Sequence, residues 1–162
     1  MKIFKDKHLL QKEISKTKGI SFVPTMGGLH KGHISLIKQS KKTKFKTLVS
    51  IFVNPKQFTK KSDFRSYPRN IRGDIKRLKK LKINYLYIPT FKDIYGFKPK
   101  ERVFLDKFSK KLCGKFRKGH FEGVLNVVNR FLEIIKPKYI FFREKRLSTV
   151  VSNKKTYRKK KD

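Results

Sequence analysis

Two apolar runs, residues 20–24 and 48–53, stand on either side of a glycine turn and an amphipathic stretch, and this order of segments limits the chain to few folds. Each run is too short for a helix and too apolar for an exposed strand, so each reads as a strand buried on both faces, the second extending over residues 47–53. Between them, residues 32–41 have the spacing of a helix with Leu36 and Ile37 turned inward. Strand, helix, strand is a βαβ unit, which predicts parallel strands joined by a right-handed crossover. The alternation goes on. Residues 71–82 read as a helix, 85–88 as a strand, 103–105 as a short strand, and 121–135 as a helix with Val124, Val127, Val128, Phe131 and Ile135 on one face. Pro137 stops that helix before a strand over residues 139–142, and residues 8–17 predict a short amphipathic helix ahead of the first strand. The expected fold class is α/β, a doubly wound parallel sheet that binds its ligands beyond the C-terminal strand ends.

At 162 residues the chain has the length of one ordinary domain. Its 45 Lys and Arg face 11 Asp and Glu, a net charge of +34. Two readings of that charge stand side by side. A field of this sign recruits phosphates and suits a nucleic-acid binder. Lys far outnumbering Arg, abundant Phe and no Trp suit compositional drift in an AT-rich genome, and no recognition motif gathers the charge. The single cysteine, Cys113, excludes an internal disulfide framework and a multi-cysteine zinc site, and reads as a small buried residue. The opening stretch MKIFKDKHLLQKEI is charged throughout, and no run of about 18 apolar residues occurs, so neither export nor a membrane span is expected and the location expected is cytoplasmic.

Chemistry concentrates in FVPTMGGLHKGH, residues 22–33, which leaves a strand, turns through Gly27 and Gly28, and enters a helix after Gly32. Such a turn brings backbone N–H groups and a helix N-terminus to phosphate, and small residues permit close approach. His30 and His33, three apart at the helix start, suit two imidazole donors on a triphosphate whose pyrophosphate is leaving. A glycine-rich connection carrying two incidental histidines fits the spacing equally well.

The HKGH of residues 30–33 is an HxGH signature of the adenylyl-transferring superfamily, and PTMGGLHKGHISLI around it resembles the pantothenate synthetase family in particular. SIFVNPKQF (residues 50–58), YPR (67–69), FRKGHFEGV (116–124) and KPKYIFFREK (136–145) follow in the family's order, so the resemblance covers residues 20–145. It implies a Rossmann-like domain of the HxGH nucleotidyltransferase type and an ATP-dependent, AMP-forming ligase that joins pantoate to β-alanine through a pantoyl-adenylate, with Mg2+ assisting. By the same resemblance Met26, Gly27, Gly28, Leu29, His30, Lys31, Gly32, His33 and Lys145 face ATP, with His33 as proton donor and His30 its partner on the phosphates. Gln57 holds pantoate and then β-alanine, Asn54 positions the loop or contacts the intermediate, and Arg117 and His120 form a substrate-side basic pair. Tyr67 is either a site residue or a loop anchor. No metal-ligating set belongs to the protein itself, and the partners implied are small molecules and a second copy in a homodimer, with no specific nucleic acid and no membrane. A small basic nucleic-acid-binding protein is the alternative.

After Phe142 the family's pattern continues as GEKD and a YQQL-type helix start, whereas this chain reads Arg143, Glu144, Lys145, Arg146 and then LSTVVSN. A permissible set of codons for residues 144–155, with one adenine deleted and the first base of the Thr156 codon borrowed, reads EKDYQQLYLIKK. The expectation is therefore a nucleotide-binding domain over residues 1–145, an unpacked basic tail over residues 146–162 read out of frame, and no C-terminal domain of the family's kind. Arg143 lies upstream of the shift and is not explained by it. Resequencing the codons for residues 142–155 tests this: one adenine fewer in the tract is the expected result, and the tract intact with codons that do not restore YQQL is the result that removes the frameshift.

Overall fold

The computed structural model describes residues 1–98, 118–144, 147–152 and 156–158, with side chains described for residues 1–98 and 123–141. Among these residues seven strands, β1 (Lys2–Phe4), β2 (Ile20–Thr25), β3 (Lys46–Ile51), β4 (Tyr85–Tyr87), β5 (Tyr139–Glu144), β6 (Leu147–Ser152) and β7 (Thr156–Arg158), form one sheet in the order β1-β4-β3-β2-β5-β6-β7. The first five in that order are parallel. Among the described residues six helices accompany them: α1 (Lys7–Ile14), α2 (Lys31–Lys41), α3 (Lys61–Ser66), α4 (Ile71–Lys80), α5 (Phe91–Tyr95) and α6 (Lys118–Ile135), with a 3-10 turn at Pro55–Gln57. The four strands expected from the apolar runs are thus neighbours and parallel. The strand expected at residues 103–105 and Cys113 lie outside the described residues.

The central strands β2, β3 and β4 are buried on both faces, as parallel strands between helices must be, whereas the edge strand β1 is largely exposed. Phe22, Leu48, Tyr85, Tyr87 and Ile140 face α1 and α6, where Leu10, Ile14, Val127, Phe131, Ile134 and Ile135 close a core. Val23, Val49, Ile51, Leu86 and Phe141 face the other way, against Leu36 and Ile37 of α2 and Leu78 of α4. Helix side changes between β4 and β5, which makes the sheet doubly wound.

The chain builds outward from β2 to β3 and β4, then returns to place β5 on the other flank of β2. This reversal is a topological switch point, the place where open α/β sheets bind ligands. The strand pairing is uneven there. β2 stays in register with β3 through Thr25 and Ile51, but its pairing with β5 ends at Phe22 and Ile140. Pro24, two residues on, has no N–H to give a ladder.

The sequence reading did not name the short helices α3 and α5, nor the strands β1, β6 and β7. β1 is three residues long, too short to show a period, and exists because β4 offers it a parallel edge. Within the stretch that the sequence read as an unpacked basic tail, the backbone forms β6, antiparallel to β5, and then β7. An open strand edge is a row of unpaired N–H and C=O groups, and the β-branched run Thr149, Val150, Val151 suits pairing with it.

Phe131 of α6 is 2% exposed and meets the rings of Phe22 at 5.3 Å, Phe52 at 6.3 Å and Tyr87 at 6.3 Å. Phe131→Ala leaves a cavity between α6 and three elements of the sheet and its loops, and should cost about 3–5 kcal/mol by urea unfolding. A loss below about 1 kcal/mol would show that α6 does not close this core.

Candidate functional site

The turn after β2 is wired by its own protein. Thr25 Oγ1 donates to the Ser50 carbonyl at 2.7 Å and accepts from Gly27 N–H at 3.2 Å. Gly27 and Gly28 have φ of 84° and 61°, left-handed values that only glycine adopts without strain. The next two donors converge on one carboxylate: Gly28 N–H meets Asp74 Oδ2 at 2.8 Å and Leu29 N–H meets Asp74 Oδ1 at 2.9 Å. Asp74 belongs to α4 and is 2% exposed. One helical turn further on, Arg77 Nη1 donates to the Leu29 carbonyl. In this structure the glycine N–H groups that the sequence offers to phosphate face the protein itself. They are already engaged by Thr25 and Asp74, so an anionic ligand is left with the first turn of α2 and its side chains.

That first turn carries the two histidines. His30 caps α2, its Nδ1 accepting from Gly32 N–H at 3.1 Å, so its ring proton sits on Nε2. The His30 and His33 rings lie 4.1 Å apart at an interplanar angle of 33°. His30 and Lys31 are exposed, whereas His33 is half-buried and its Nδ1 is enclosed with no hydrogen-bond partner among the described residues. Burial, and then the neighbouring His30, hold the His33 imidazole below its ordinary pKa, against a smaller opposing pull from the Asp74 carboxylate. His33 is thus neutral near pH 7. It offers an N–H as a hydrogen-bond donor.

A second constellation begins where β3 ends. Asn54 is fully buried and its side chain makes four bonds: Oδ1 accepts from Lys56 N–H at 3.1 Å and Tyr95 O–H at 2.9 Å, and Nδ2 donates to Gln57 Oε1 at 3.2 Å and the Gly123 carbonyl at 3.1 Å. With two donors and two acceptors engaged, this amide fixes the loop and has nothing left for an intermediate. Gln57, 5% exposed, donates through Nε2 to the Met26 sulfur and so ties the 3-10 turn to the glycine turn. Behind it α6 comes as near as backbone can: a Cβ on Gly123 would collide with the Lys56 carbonyl oxygen and lie 2.6 Å from Gln57 Cα. Tyr67 is both anchored and close to the site. Its ring meets Phe58 at 5.5 Å, and burial and the Asp74 carboxylate hold its hydroxyl above the usual tyrosine pKa, keeping it a donor.

The structure therefore joins Met26, Asn54 and Gln57 by hydrogen bonds and stacks His30 on His33 one turn away in sequence. Arg117 and Lys145 lie outside the described residues, as does the side chain of His120, whose backbone is in the first turn of α6. Asp74, Arg77, Tyr95 and Gly123 were not singled out in the sequence, because an acid and a base within a Lys-rich helix read as solvated surface. The donor set does not fit a protein-held Mg2+. Among the described residues no three His, Cys, Asp or Glu side chains gather, and both oxygens of Asp74 are already taken by backbone N–H groups.

The profile of a family described as pantoate-beta-alanine ligase matches residues 2–159. The pantothenate synthetase of Pseudothermotoga lettingae is 45% identical over 134 residues, 83% of this chain and 48% of the relative. That of Thermosipho africanus is 40% identical over 144 residues, 89% of this chain and 52% of the relative. Among solved structures, pantothenate synthetase from Thermus thermophilus superposes with a TM-score of 0.76 at 31% identity, over 88% of this chain and 51% of that one. Pantoate-beta-alanine ligase from Francisella tularensis, complexed with beta-gamma ATP and beta-alanine, gives a TM-score of 0.76 at 40% identity, over 86% and 55%. The chain thus spans about half the length of the relatives it matches.

The state of His33 has a consequence for stability. Its pKa is lower in the folded chain than the roughly 6.5 of a free imidazole, so the unfolded chain takes up a proton first as pH falls. The stability tied to this group is fully present above about pH 6.5 and is lost as pH falls from there towards the folded value. His33→Gln, which does not titrate, should lose less of its urea midpoint between about pH 7.5 and pH 5.5 than the unmodified chain does. Equal losses would mean that the fold does not hold His33 low.

Proposed function

The chain belongs to the pantoate-beta-alanine ligase family, and on that premise we propose that it carries the half of a pantothenate synthetase that receives ATP and pantoate. The observation that carries this reading is the hydrogen bond from Gln57 to Met26, which ties a buried amide to the same turn that leads into the His30 and His33 pair at the sheet's switch point. Nucleotide and acid then meet across a few ångströms of fixed backbone.

On this reading the α2 N-terminus, His30 Nε2–H and the neutral His33 donate to the triphosphate. A pantoate carboxylate oxygen attacks the α-phosphorus, the bond to the bridging oxygen breaks, and pyrophosphate leaves with the electron pair. The same donors meet the charge that builds on it, and preorganised donors of this kind are commonly worth about 10²–10³ in rate each. Gln57, as a neutral amide, serves the carboxylate, the adenylate and the incoming amine without changing its own charge. The amine of β-alanine attacks the acyl carbon, a proton leaves its nitrogen, and AMP departs. Mg2+ enters this scheme as a companion of the phosphates and not as a ligand of described side chains.

The relatives give no support to the nucleic-acid-binding alternative. For the 162-residue polypeptide by itself we propose ground-state binding without turnover, since Arg143 and the residues after it depart from the family's GEKD and YQQL patterns, and donors in a water-excluded site are what acceleration requires. Titration calorimetry should give millimolar-range ATP binding that His33→Ala abolishes, and an assay of AMP and pantothenate release should give none. No ATP binding by the unmodified chain would overturn the reading of the site. Turnover at the rate of full-length relatives would overturn the claim that the chain alone is not sufficient.

A further inference from the structure

A left-handed glycine turn with converging N–H groups is a concave anion site, the kind that elsewhere cradles phosphate. In this chain the anion already in place is the protein's own Asp74 carboxylate, with Arg77 gripping the carbonyl on the far side of Leu29. We propose that Asp74 and Arg77 are positioning residues: a clamp on α4 that fixes the glycine turn and thereby sets where His30 and His33 stand, without touching the nucleotide. The proposal rests on the reading of this site as an ATP site for its functional consequence, but not for its geometry.

Three observations carry it. Asp74 is buried and both its oxygens are used, each on a different N–H of the same turn, so it has no oxygen directed elsewhere by these contacts. Gly27 is shaped to it, since a Cβ there would lie 3.1 Å from Asp74 Oδ2. Leu29 is 1% exposed in the core beside Leu36, Ile37 and Leu78, so the residue the clamp holds from both backbone sides is also held by its side chain. Directly after it comes His30, the cap of α2. The helix that bears the clamp therefore governs the angle at which α2 and its histidines leave the sheet.

The chemistry makes the clamp selective. A carboxylate accepts two N–H bonds at once, and a bond to an ionised acceptor is roughly twice as strong as a neutral one. Asparagine, of the same shape, presents one oxygen and one N–H2, and the N–H2 meets a donor. Filling the turn with a fixed negative charge also keeps a phosphate out of it and directs the ligand's charge to the imidazoles.

The test uses the full chain and its Asp74→Asn and Arg77→Met variants, with ATP as the probe. In the unmodified chain the Gly28 and Leu29 amide protons should resonate downfield and be protected from hydrogen exchange. In Asp74→Asn the downfield shift should be lost, both amides should exchange about tenfold faster or more, and ATP should bind more weakly by a similar factor. Arg77→Met should keep the Gly28 signal and weaken ATP binding by a smaller factor. Unchanged exchange at Gly28 and Leu29 in Asp74→Asn overturns the clamp, and so does weakened ATP binding with those amides unmoved, which would put the carboxylate on the nucleotide itself. Should Asp74→Asn not fold, Arg77→Met decides: unchanged ATP affinity and unchanged protection around Leu29 overturn the proposal. If the unmodified chain binds no ATP, the functional reading fails, while the amide comparison still tests the clamp.

Discussion

The site depends on a central strand whose two neighbours release it at different points. β2 is held by β3 to its last residue and by β5 only as far as Phe22, so the chain leaves the sheet with one side supported and the other open. Everything that follows in sequence inherits that asymmetry. The glycine turn can swing towards the unpaired side, α2 starts beyond it, and the end of β3 delivers Asn54 and Gln57 to the same end of the sheet. A strand paired equally on both flanks would leave no room for a ligand at this point. The two-sided core makes the opening tolerable in energy, because Phe22 and Val23 are anchored in opposite layers just before it.

Much of this was legible before any coordinates. Apolar runs gave the parallel strands because a strand buried on both faces has no polar period to confuse it with a surface element. Glycines, and histidines spaced by one helical turn, marked the ligand end. The supporting groups stayed hidden. Asp74 and Arg77 lie in IRGDIKRLKK, where every sequence cue says solvated face, and only the fold reveals that two of those charges point inward. Asn54 read as a local turn or as a residue that positions the loop or contacts the intermediate, and its bonds combine the local turn at Lys56 N–H with longer ties to Gln57, Tyr95 and Gly123. The last strands were missed for another reason: β6 owes its existence to the open edge of β5, a partner that no local pattern announces.

With so few acids, the cations of this chain find other company. Lys56 stands 4.3 Å from the centre of the Tyr95 ring and Arg130 stands 4.7 Å from it, while Arg130 also caps the Ile94 carbonyl at 3.1 Å. Arg69 lies over Phe64 at 4.9 Å and donates to the carbonyls of Phe64, Arg65 and Tyr67. Ring faces and carbonyl oxygens thus do some of the neutralising that carboxylates do elsewhere. Tyr95 gains from it directly, since its hydroxyl supports Asn54 and its ring lies against two cations. The abundant Lys and Phe are therefore not merely spread over the surface. Near the 3-10 turn they are part of what holds it.

Gly123 shows where substitution must stop. Each base change at the first or second position of a glycine codon yields another residue or a stop, and each of those residues brings a Cβ into the carbonyl of Lys56 and the Cα of Gln57. At most surface positions a gene sliding towards adenine and thymine can trade one codon for the next at little cost. Here the neighbouring codons are all closed, because the helix and the turn touch through backbone alone. Gly123 is in this sense an isolated point in sequence space, and a lineage that loses it must move α6 away from Gln57 or give up the fixed amide.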